Sequence, residues 1–224
     1  WLIALPVLAV GGWLWLQWQC WGLQTCRALA PLPGLPQGFD GFTIVHLSDL
    51  HGHEYGAGSR ELLARVRAER PDLIVVTGDL IDQKSQLEMV PALARGLAAI
   101  APTYFVTGNH EWALGSGTVR ELKAVLAQCG VSVLSNQYEI LERGGSKLVL
   151  AGVDDPNGYA DQKTPEALAE EIRSVFGDPF WLLLAHRNNY FERTYSRLGA
   201  DLVITGHGHG GLIRLPFTDG LVSV

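Results

Sequence analysis

Asp72-Leu73-Ile74-Val75-Val76-Thr77-Gly78-Asp79 decides the reading of this chain. A short apolar, β-branched run that closes on Gly-Asp reads as a buried strand delivering a carboxylate at its carboxyl end. The same form recurs on either side. Residues 42–48 read as a strand followed by Asp49-Leu50-His51, and residues 103–107 as a strand followed by Gly108-Asn109-His110-Glu111. Between these runs, residues 59–70 carry Leu62, Leu63 and Val66 on one helical stripe and stop at Pro71. Residues 91–100 form a second helical stretch, and 119–128 a third that ends at Gly130. Strands alternating with helices predict parallel pairing through crossover connections. In such sheets ligands gather at the carboxyl ends of the strands, where these polar blocks fall.

The second half is richer in strands. Runs at 131–134, 138–141, 147–153, 180–185, 201–205 and 212–215 read as β, with one helix at 165–176. Two of them close on further histidines: Ala185-His186, then Thr205-Gly206-His207-Gly208-His209. Strand alternation puts Asp49 and His51 on one face, so both can reach one ion. Asp79 has two carboxylate oxygens and can serve two cations. Asn109 offers a neutral amide oxygen, and the histidines offer nitrogens. Oxygen and nitrogen donors without thiolate suit manganese, iron or zinc rather than calcium or copper(I). Each block alone reads more readily as a cap, a satisfied polar group or an ordinary turn than as a ligand; their ordered combination carries the signal.

The five blocks resemble the signature of the calcineurin-like metallophosphoesterase superfamily: D-x-H, G-D, G-N-H-[DE], a lone His and G-H-x-H, over residues 42–214. That resemblance implies an α/β fold, a four-layer α/β/β/α sandwich of two mixed sheets. It implies two divalent metal ions (Mn2+, Fe2+ or Zn2+), one held by Asp49, His51, Asp79 and His209, the other by Asp79, Asn109, His186 and His207. It further implies hydrolysis of phosphoester or pyrophosphate bonds by metal-activated hydroxide, with His110 as the general acid on the departing oxygen. Arg187 is a candidate substrate-binding residue because its planar fork suits phosphate, and His53 is a candidate because it follows the first block. Both also read as plain loop residues. His46, on the opposite face from Asp49, reads as a hydrogen-bonded core residue. Asp154-Asp155-Pro156 reads either as a turn or as the rim of the site. Two features depart from the family pattern: Arg187-Asn188 stands where a Pro often follows the lone His, and Leu212 stands where Gln is frequent.

The chain has 224 residues, 47% of them hydrophobic and 18% charged, enough to bury one sizeable core. A net charge of -6 and no basic cluster along a groove exclude a polymeric nucleic acid as the expected partner. Three cysteines, Cys20, Cys26 and Cys129, lack metal-site spacing and imply no disulfide framework. Residues 1–26 contain no charge and carry Trp13, Trp15, Trp18 and Trp21 toward one end. They read as a membrane anchor helix with an aromatic belt, or alternatively as a signal-peptide apolar region. Pro31, Pro33, Gly34, Pro36 and Gly38 make 27–40 a stiff linker, and the metallophosphoesterase domain is expected over 41–224. A start at Trp1 and an end inside an apolar run at 221–224 lead us to expect further residues on both sides.

An anchored domain with these blocks resembles the bacterial membrane-associated branch of the superfamily, which includes UDP-2,3-diacylglucosamine pyrophosphatases of lipid A synthesis. The expected partners are then a phosphate ester or a nucleotide-sugar-lipid, with a single-pass location in the cell membrane. Two alternatives stay open: a general phosphodiesterase or phosphomonoesterase acting on a small phosphate ester, and a non-catalytic binding module.

Overall fold

A computed structural model describes residues 4–158 and 162–209. The chain divides into two units, Trp1–Pro31 and Leu32–Val224. The first holds helix α1, Ala4–Trp21, and Pro6 sits in its opening turn, where proline is tolerated. Eighteen residues rise about 27 Å, against about 30 Å of bilayer hydrocarbon. Gln17, Gln19 and the paired Gly11 and Gly12 dilute its apolar character. Among the described residues, no helix is long and apolar enough to cross a membrane. The described helix therefore does not support the spanning anchor expected over residues 1–26.

The second unit contains two four-stranded sheets. In the first, β1 (Ile44–Leu47), β2 (Leu73–Thr77), β3 (Thr103–Val106) and β4 (Ser132–Val133) are all parallel. In the second, β5 (Gln137–Arg143) pairs antiparallel with β6 (Ser146–Gly152), and β7 (Trp181–Arg187) and β8 (Leu202–Gly206) continue in parallel. Only the second sheet is mixed among the described residues, whereas two mixed sheets were expected. The strand expected at 212–215 and the apolar run at 221–224 lie outside the described residues.

The sheets pack face to face through alternate residues of their inner strands. Leu73, Val75, Tyr104 and Val106 meet Leu148, Leu150, Leu182 and Leu184, all in a buried cluster. On the outer face of the first sheet, Val76 and Phe105 face Val90, Leu93 and Leu97 of α3 (Val90–Ala98) and Leu126 of α5 (Ser116–Gln128). α2 (Arg60–Ala68) packs beside α3. On the outer face of the second sheet, Val149, Ala151, Trp181 and Leu183 bury Leu168, Ala169 and Ile172 of α6 (Pro165–Phe176). The layer order is helix, sheet, sheet, helix. Fully burying one such aliphatic side chain contributes about 1.5–3 kcal/mol, so the stacked layers are what hold the strand ends in place. His46 departs from its expected core position. It lies exposed on β1, the last strand at that side of the sheet among the described residues, and bonds Thr77 Oγ1 at 2.6 Å.

β7 runs further than its apolar stretch suggests. A register shift against β8 falls between Leu184 and Arg187, a bulge of the kind that re-aims a side chain beside a site. His186 lies within it. After β3 the chain turns at Gly108 into a five-residue helix, α4 (Asn109–Ala113), which sequence periodicity is too short to reveal.

Candidate metal centre

Five of the seven expected metal ligands sit in the left-handed backbone region: Asp49, His51, Asp79, His207 and His209 have φ between 48° and 68°. Only three other non-glycine residues among those described do so, namely Ser59, Arg70 and Asn136. Such conformations cost roughly 1–3 kcal/mol each and persist only where surrounding contacts enforce them. Here the enforcement is visible. The backbone N–H groups of Asp49, His51 and Gly52 donate to the carbonyls of Gly78, Asp79 and Leu80, knitting the first ligand loop to the second. Glu111, 1% exposed, accepts from the N–H groups of Asp79, Leu80, Ile81 and Gly108. Burial, and then the charge of Asp79, push its carboxyl above the ordinary range. One buried side chain thus clamps both the Gly-Asp and the Gly-Asn-His loops.

The donor atoms converge in two groups. In one, His209 Nε2 lies 3.3 Å from Asp49 Oδ1 and 3.1 Å from His51 Nε2. In the other, His186 Nε2 lies 3.3 Å from Asp79 Oδ2, 3.1 Å from Asn109 Oδ1 and 3.2 Å from His207 Nδ1. Bonds of about 2.1 Å to a four- or six-coordinate cation put neighbouring donors about 3.0–3.4 Å apart. All five distances lie in that range, so the residues fit two divalent ions. His51, Asp79 and His110 form a third convergent set that overlaps the others.

Electrostatics agree with the geometry. Burial lowers the His186 pKa, but the hydrogen bond and charge of Asp79 outweigh it, and the net direction is up: the spot attracts positive charge. Burial raises the Asp79 pKa, while His186 and the N–H of His110 more than offset it, so the net shift is down and the carboxylate stays ionised. Burial, then the charges of His186 and Arg187, lower His207, which favours the neutral imidazole that a cation needs. His186 Nδ1 lies 2.7 Å from the Thr77 carbonyl, the placement of a donor N–H, and this leaves Nε2 with a lone pair for the ion.

His110 opens on the site with its side chain 45% exposed, and its Nε2 stands 3.9 Å from Asp79 Oδ2. Asp82, which the sequence reading passed over, holds it there. Asp82 Oδ1 lies 2.8 Å from His110 Nδ1 and 2.6 Å from His51 Nδ1, so one carboxylate orients a ligand and the candidate acid together. The signal was present in Asp79-Leu80-Ile81-Asp82, two carboxylates flanking an apolar pair. Replacing Asp82 with Ala is expected to cost about 10–100-fold in activity or metal affinity, the range for removing a carboxylate behind a ligand histidine. Manganese titration and steady-state kinetics on the same preparation check this.

Gly108 supplies a steric check. Its φ of -104° suits any residue, yet an added Cβ would lie 2.1 Å from Asp79 Oδ1 and 2.6 Å from Asp79 N. Both groups are pinned, by His110 N and by Glu111. Gly108→Ala is expected to lower stability by about 1–3 kcal/mol through overpacking. Metal affinity should fall with it, read by denaturant melts and metal content.

The remaining expected residues are placed as follows. Arg187 gives Nε and Nη2 to Asp155, at 2.8 and 3.4 Å, so this fork grips a carboxylate that is 1% exposed. His53 stacks edge-on against Tyr55 at 4.4 Å. Asp154 accepts from Thr107 Oγ1 at 2.7 Å and from Lys123 Nζ at 2.5 Å, which makes the Asp-Asp-Pro turn a structural wall.

The calcineurin-like phosphoesterase family model matches residues 42–211. An uncharacterized metallophosphoesterase of Bacillus subtilis strain 168, YkuE, is 32% identical over 197 residues, 84% of this chain and 65% of that protein. A Bos taurus transmembrane protein with metallophosphoesterase domain is 30% identical over 195 residues, 82% of this chain and 44% of its own length. The Escherichia coli K12 phosphodiesterase YaeI is 29% identical over 179 residues, 78% of this chain and 63% of that protein. The chain thus spans less than two thirds of the length of these relatives.

Proposed function

The chain belongs to the calcineurin-like phosphoesterase family, and on that premise we propose that it is a dinuclear metal-dependent hydrolase of phosphodiester or pyrophosphate bonds. The observation that carries the reading is the pair of donor groups at one sheet edge, with Asp79 placed to reach both. Asp49, His51 and His209 would hold one ion, Asn109, His186 and His207 the other, and Asp79 would join them. Two such ions, when bound, lower the pKa of a shared water and neutralise charge on the phosphoryl oxygens.

The chain's own groups do the rest. Thr77 and Asp82 fix the tautomers of His186 and His51. Glu111 keeps the loops at their strained backbone angles. His110, with Nδ1 on Asp82 and Nε2 toward the centre, is placed to protonate the departing ester oxygen. The name of the Escherichia coli relative supports a diester as the substrate class.

A narrower reading is a nucleotide-sugar-lipid pyrophosphate cleaved at a membrane. It is supported by the uncharged N-terminal stretch and by the name of the Bos taurus relative. One experiment tests both. The manganese-loaded protein is assayed on bis(p-nitrophenyl) phosphate, p-nitrophenyl phosphate and UDP-2,3-diacylglucosamine. Diester turnover is expected, UMP release selects the narrower reading, and no turnover of any substrate overturns the proposal.

A further inference from the structure

Trp112 follows the candidate ligand Asn109 by three residues on α4. The two therefore share a helical face, about 4.5 Å apart along the axis. The Trp112 ring is fixed by Nε1 donating to Thr107 Oγ1 at 2.8 Å, and it forms one wall of an open cavity of about 640 Å3. The opposite walls carry Arg120 and Lys123 from α5, Asn136 ahead of β5, and Gln162 and Lys163 ahead of α6. The cavity lies at the carboxyl ends of β4 and β6, since Ser135 and Asp154 line it too, so it shares the sheet edge that carries the metal centre.

Its chemistry is distinctive for a chain of net charge -6. Three cations line it against a single carboxylate, Asp154. Lys123 is committed to Asp154 and stands 5.4 Å over the Trp112 ring, while Lys163 pairs with Glu171. Arg120 is exposed and has no ion pair among the described residues. Its fork is therefore available for a bidentate grip on an anionic group. Amides, hydroxyls, an indole plane and the single aliphatic side chain of Val119 complete the lining, so charged and hydrogen-bonding side chains outnumber apolar ones. The volume falls in the range of about 300–1,000 Å3 that small-molecule sites occupy.

We propose that this cavity is a subsite for a second, negatively charged polar group of the substrate, of nucleotide or phosphosugar size, with Arg120 as its anion-binding residue. The assignment rests on reading the neighbouring centre as the place where a phosphoester is cleaved.

The test uses the manganese-loaded protein with Arg120→Ala, and with Arg67→Ala, an exposed arginine on α2, as the control. Binding of uridine 5′-diphosphate and of inorganic pyrophosphate is measured by calorimetry. Arg120→Ala is expected to raise Kd about tenfold, the scale of one charged hydrogen-bonded contact, with the control unchanged. Weakening of both probes identifies a bare anion site, and weakening of uridine 5′-diphosphate alone identifies a nucleotide site. In turnover, KM for UDP-glucose should rise by about the same factor at constant kcat, while bis(p-nitrophenyl) phosphate changes less than about twofold. Unchanged binding of both probes, or equal loss on both substrates, overturns the subsite. Arg120-dependent binding without hydrolysis of any phosphoester keeps the subsite and removes the catalytic reading, so the two fail separately.

Discussion

Asp79→Asn is expected to strip the protein of both metal ions and to lower kcat/KM by about 10³-fold or more. Asp79 is 1% exposed and stands where the two donor groups meet. One of its oxygens accepts from His110 N at 2.9 Å, and the other faces His186 Nε2 at 3.3 Å. An asparagine fills the same volume and keeps one acceptor. It removes the charge that raises the His186 pKa, and it presents an N–H2 where a cation needs an oxygen. The fold should survive, because the charge removed is also one that pushes Glu111 up. The metal-free variant is therefore expected to melt no lower than the metal-free parent. Metal analysis, kcat/KM and a thermal melt on one preparation check all three parts. Retention of two ions at parental activity would show that Asp79 joins nothing.

His110→Ala is expected to keep both ions and lose about 10²–10⁴-fold in kcat on an alkyl diester, the range for a general acid. The side chain is half-exposed and its partner Asp82 is on the surface side, so folding should be little affected. Its role is separable from a structural one by the leaving group. A p-nitrophenolate departs without a proton, so the deficit on an aryl ester should shrink to less than about tenfold. An equal deficit on alkyl and aryl esters would assign His110 to holding the site rather than to proton transfer.

The sequence made the candidate ligand blocks legible because each one follows a short apolar strand, three of them (β2, β3 and β7) buried almost throughout, and such strands announce themselves as short apolar runs. β2 and α6 fell within a residue or so of their expected bounds for that reason. Other features were hidden by their length or by their dependence on distant partners. α4 is too short for periodicity, and β7 reaches Arg187 only through a bulge against β8. The all-parallel first sheet follows from which strands are neighbours, a property that spacing alone leaves open. α1 showed the limit of counting uncharged residues, since glutamines and glycines reduce hydropathy without adding charge.

Within the site, the candidate ligands could be named from their own chemistry, whereas the roles of residues that act through others could not. Asp82, Glu111 and Thr77 lie in or beside the blocks, yet nothing in the sequence says what each one holds. Their importance is the distance from Asp82 to two imidazoles, the four backbone donors gathered by Glu111, and the single carbonyl beneath His186. Arg187 shows the converse: a fork suited to phosphate that the fold spends on Asp155.

The most direct test of the whole account is anomalous diffraction at the manganese edge from crystals grown with the metal. The account predicts two peaks about 3.5–4 Å apart. One should lie among Asp49, His51 and His209, the other among Asn109, His186 and His207, with Asp79 touching both. A single peak, or none, with the His186 and His207 rings turned apart, would contradict it.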